Sequence, residues 1–104
     1  LDHVYLLNHK KEKQSILYHP VTHYAVSVHT TYPALVLYTY NYPSRETFDQ
    51  KVYNTHHAGI TLECQYEPDG IHHKALHDAI LRVNDTYYHE TVYHLYKEVK
   101  YEEI

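Results

Sequence analysis

Histidine and tyrosine are the residues of this chain best suited to chemistry, and it carries twelve of the first and fourteen of the second in 104 positions. An imidazole exchanges a proton near neutral pH, and a phenol hydroxyl both donates and accepts hydrogen bonds. Two histidine pairs stand four residues apart, His19/His23 and His73/His77. On a helix, such a pair shares one face and supplies two of the three or four ligands of a zinc or other divalent metal site, with Asp69 or Asp78 close by in sequence. Twelve histidines scattered over this length give roughly one such pair by chance, so the spacing does not rise above background. The leading expectation is no cofactor, with zinc or another divalent metal at His73 and His77 as the alternative. Cys64 stands between Glu63 and Gln65 in an alternating stretch, the setting of a half-buried thiol rather than a nucleophile. Nucleophile-elbow, phosphate-loop, dinucleotide and HExxH patterns are absent.

Composition bounds the function from the other side. A net charge of −4, with the basic residues scattered except for Lys10, Lys11 and Lys13, argues against binding a phosphate backbone. No apolar stretch approaches the roughly 18 residues of a membrane span, so no membrane partner is expected and the chain reads as soluble. A single cysteine allows no internal disulfide and points to a reducing, cytoplasmic compartment, while the start at Leu1 leaves a removed leader open. Protonating all twelve histidines would move the formal charge from −4 to +8, so behaviour near pH 6 is expected to depend on pH.

These residues need elements to position them. No linker, repeat or low-complexity tract interrupts residues 1–104, which read as one domain. The runs 2–8, 14–19, 23–28, 34–40 and 60–66 are short, apolar or alternating, and predict strands; Ala34 to Tyr40 has the composition of a central one. Ser44 as a cap, with Phe48 and Val52 four apart, predicts a helix over 45–57. The stripe Leu76, Ala79, Ile80 and Val83 predicts a second over 71–83. Residues 87–101 fit both periods, and their aromatic and β-branched content favours a strand. The resulting fold class is α+β, a mostly antiparallel sheet with two helices on one face, a variant of the ferredoxin-like arrangement.

Residues 34–60, ALVLYTYNYPSRETFDQKVYNTHHAGI, join an apolar strand ending in tyrosine to a proline-marked turn and a helix that ends near His56. This stretch resembles the first strand and helix of EthD-like proteins in the dimeric α+β barrel superfamily. The resemblance implies a homodimer around a small-molecule pocket, with proton transfer falling on His56. On this reading the protein is a homodimeric small-molecule-binding protein or a cofactor-independent enzyme. His56 or His57 is the general base, and Tyr38, Tyr40 and Tyr53 supply pocket hydroxyls that steady a developing oxyanion. The alternative is an interaction or assembly module with a tyrosine-rich interface and pH-sensitive histidines.

Overall fold

The computed structural model describes residues 1–43 and 55–98. Six strands run through them: β1 (Asp2–Leu6), β2 (Ser15–Tyr18), β3 (Tyr24–Thr30), β4 (Ala34–Tyr38), β5 (Thr61–Gln65) and β6 (Thr91–Lys97). Each falls where alternation or β-branched content predicts a strand, because two-residue periodicity puts one set of side chains against a core. The strands pair antiparallel into two sheets, in the orders β1-β4-β5 and β2-β3-β6. The sole helical element among the described residues is a 3₁₀ turn at Gly70–His72.

The α+β, ferredoxin-like expectation is therefore wrong: the described chain is nearly all β. Residues 45–54 of the first predicted helix lie outside the described residues, and 55–57 form a turn closed by Ala58 N–H donating to the Thr55 carbonyl at 3.1 Å. The second predicted helix does not form. His73 is already extended, with φ −130° and ψ 113°, and Ala79 turns left-handed at φ 58°. Val83, at the end of the supposed apolar stripe, is 90% exposed. Four apolar residues at helical spacing do not make a helix when no facing surface covers them.

Contacts divide the chain into two compact units, one of Leu1–Leu6 with Pro33–Ile80 and the other of Leu7–Tyr32 with the chain from Leu81 onward. In the first, β4 is the middle strand and buries Ala34 and Leu35 at its start. Beyond β5, Gly70 packs under the backbone of His77, where a Cβ would overlap the His77 carbonyl oxygen. Only glycine permits that approach. In the second unit, β3 is central and buries Ala25 and Val28 together with Ser27 and Thr30. Its hairpin with β2 turns through Pro20, closed by His19 N–H donating to the Tyr24 carbonyl and His23 N–H to the His19 carbonyl. His23 is left-handed there, at φ 65°, and one of its ring nitrogens meets the Tyr18 hydroxyl at 2.7 Å.

Candidate functional site

Register decides what the β1-β4-β5 sheet presents. Asp2 pairs with Tyr38, which pairs with Thr61; the next row on the same face is Val4, Val36 and Glu63, and the third is Leu6, Ala34 and Gln65. Residues directly opposite on neighbouring strands share a face. One face thus gathers a carboxylate from each outer strand and a phenol from the middle one. The other carries His3 beside Leu37 and Leu62, and Tyr5 beside Leu35 and Cys64. Cys64 is half-buried, as its alternating context predicts.

On the polar face, the Thr61 hydroxyl donates to Glu63 Oε2 at 3.0 Å, which orients the carboxylate and leaves its other oxygen open. The Tyr38 hydroxyl accepts the Tyr42 N–H at 3.2 Å, and its own proton stays available to a ligand. His57 is tied to the exit of β4 by two bonds. Its N–H donates to the Tyr40 carbonyl at 3.1 Å, and Nδ1 donates to the Thr39 carbonyl at 2.8 Å. A carbonyl can only accept, so the proton sits on Nδ1 and Nε2 keeps its lone pair when the ring is neutral. The His56 ring stands edge-on to His57, centroids 5.8 Å apart, and both residues are exposed.

Of the residues singled out from the sequence, His57 is bonded to the Tyr40 backbone just past the end of β4, Tyr38 is the last residue of that strand, and His56 is adjacent to His57. Tyr53 lies outside the described residues. Sequence reasoning missed Asp2, Thr61, Glu63 and Gln65. The alternation T-L-E-C-Q did mark a strand with one polar face, but the pairing that sets Glu63 beside Val36 and Thr61 beside Tyr38 is non-local.

His73 and His77 do not share a helix face. His73 Nε2 lies 3.3 Å from Asp69 Oδ2, and His72 Nδ1 lies 2.5 Å from Asp69 Oδ1. His77 instead donates through Nδ1 to both oxygens of Glu67, each at 3.1 Å, and through its backbone N–H at 3.3 Å. Burial of Glu67 pushes its carboxyl up, but its own backbone N–H, the hydrogen bonds from His77 and the His77 charge together hold it below its ordinary range. Among the described residues, no group of three or more His, Cys, Asp or Glu is placed to hold a metal ion. No helix among them is long and apolar enough to cross a membrane.

No curated protein and no solved structure matches this chain. A family model described as aldose 1-epimerase matches residues 1–94. That match runs through all of β1 to β5 and into β6, and it overturns the resemblance of residues 34–60 to EthD-like proteins. The chain belongs to the aldose 1-epimerase family.

Proposed function

We propose that the polar face of the β1-β4-β5 sheet binds an aldose and interconverts its anomers by acid–base chemistry. The observation that carries the reading is the Glu63 carboxylate, bonded by Thr61 and sharing its face of the sheet with Tyr38 and, on the far strand, Asp2, in a chain of this family. Anomer exchange needs a base to take the proton of the anomeric hydroxyl and an acid to protonate the ring oxygen. The bond from the anomeric carbon to the ring oxygen then breaks, leaving an open-chain aldehyde. Rotation about the next carbon–carbon bond and reclosure complete the exchange with both protons returned.

Glu63 is the base on opening, since a carboxylate is ionised at neutral pH. Its hydrogen bond from Thr61 holds one oxygen still while the other takes the proton. His57 is the acid in its doubly protonated, imidazolium form, giving its Nε2 proton to the ring oxygen and keeping the Nδ1 proton held by the Thr39 carbonyl. On closure it works as the base. Asp2 and Tyr38 bind sugar hydroxyls. Association of two copies belongs to the same reading, because the outer edges of β1 and β5 have no strand partner among the described residues; sedimentation of the purified chain tests it.

Polarimetry of freshly dissolved α-D-glucose and α-D-galactose tests the chemistry. The chain should shorten the approach to anomeric equilibrium relative to buffer, and Glu63→Gln should lower kcat at least about 100-fold, the usual worth of a positioned acid or base. An unaltered rate in Glu63→Gln, or no acceleration by the unsubstituted chain, would sink the proposal.

A further inference from the structure

A second polar surface lies wholly within the other unit, on the β2-β3-β6 sheet. Register places His29 opposite Val92 and Ser27 opposite His94, so these four side chains share one face of β3 and β6. The loop before β2 brings Glu12 and Lys13 to the same place, and the six residues line a cavity of about 330 Å³. That is the lower end of ordinary small-ligand pockets, roughly 300–1,000 Å³.

The loop is clamped in position. His29 Nδ1 donates to the Glu12 carbonyl at 2.7 Å. Gln14 donates its N–H to the Val28 carbonyl, and its side chain both accepts from Thr30 N–H at 3.0 Å and donates to the Thr30 carbonyl at 3.3 Å. Donation from Nδ1 leaves His29 Nε2 as an acceptor in the neutral ring. Tyr96 organises the other wall, stacking on His94 with centroids 5.0 Å apart while Lys13 Nζ sits 5.1 Å from its ring centre. Ser27 is 3% exposed, and its side chain lines this cavity. A hydroxyl lining a cavity can donate to or accept from a ligand group there.

We propose that this groove binds a neutral pyranose, at a site separate from the β1-β4-β5 face. The donor and acceptor set selects for it. Lys13 and the Ser27 hydroxyl donate, while the Glu12 carboxylate and His29 Nε2 accept; sugar hydroxyls answer both kinds. An anion would gain Lys13 but face Glu12, and a cation would meet the reverse. The side chain of Val92 and the face of the His94 ring give the C–H face of a pyranose an apolar floor.

Amide NMR titration with methyl β-D-glucopyranoside tests this, because the blocked anomeric oxygen prevents ring opening and separates binding from turnover. Saturable shifts are expected at Ser27, His29, Val92 and His94. They should weaken at least about tenfold in Ser27→Ala and in His94→Ala, as befits loss of one ligand contact, and persist in Glu63→Gln. The inference is overturned if those amides stay still, if shifts gather only at Asp2, Tyr38 and Glu63, or if inorganic phosphate moves the same amides at lower concentration.

Discussion

The two sheets share a plan, three antiparallel strands with the most buried one in the middle, but they treat polar side chains in opposite ways. In β1-β4-β5 burial is apolar and confined to Ala34 and Leu35, and the acidic groups Asp2 and Glu63 stay exposed on one face. In β2-β3-β6 the middle strand buries Ser27 and Thr30 beside Ala25 and Val28. Those two differ again. Thr30 is satisfied, its hydroxyl 2.8 Å from that of Thr91 and accepting the Tyr32 N–H at 3.1 Å, whereas the Ser27 hydroxyl opens into the groove. A hydroxyl bonded within the sheet holds the fold together, and one that lines a groove is left to meet what enters it.

The sharpest break in that comparison is between activity and stability. Glu63→Gln should cost at least about 100-fold in kcat while leaving the melting temperature unchanged, since the side chain is exposed; a large fall in melting temperature would make Glu63 structural. Leu35→Ala should do the reverse and destabilise the chain by about 2–5 kcal/mol in denaturant unfolding, as core truncations do. Gly70→Ala forces a Cβ onto the His77 carbonyl and should cost about 1–3 kcal/mol or more, with the loop backbone shifting. Thr30→Val keeps the volume but strands the Tyr32 N–H and the Thr91 hydroxyl, costing about 1–3 kcal/mol; Ser27→Ala, at a hydroxyl that lines the groove, should cost well under about 1 kcal/mol. Equal losses at the two positions would erase the distinction drawn between them.

The smallest effect is acid sensitivity at Glu67. Its folded pKa is lowered, so the stability it contributes is fully present above its ordinary value of 4.5 and is lost as pH falls through the lower folded value. Unfolding measured from pH 6 to pH 3 should show that loss, and Glu67→Gln should flatten it. An identical acid limb in the variant would place the acid sensitivity elsewhere.

Local pattern carried the strands. Alternation in 23–28 and 60–66, and the apolar run of 34–40, show in the chain itself because a strand's two-residue period needs only one covered face to leave its mark. The same reasoning failed at 71–83, where spacing suited a helix but the left-handed Asp69, the glycine contact under His77 and the Glu67–His77 bonds draw the chain into turns. Those contacts join residues up to ten apart and leave no periodic trace.

The histidine and tyrosine content, the acidic charge and the positions of the strands were determined by the sequence alone. Which side chains meet was decided by tertiary structure. Asp2, Tyr38 and Thr61 form one row, and Ser27 and His94 another, because strands far apart in the chain pair in one register. A shift of one residue would turn each row to the opposite face.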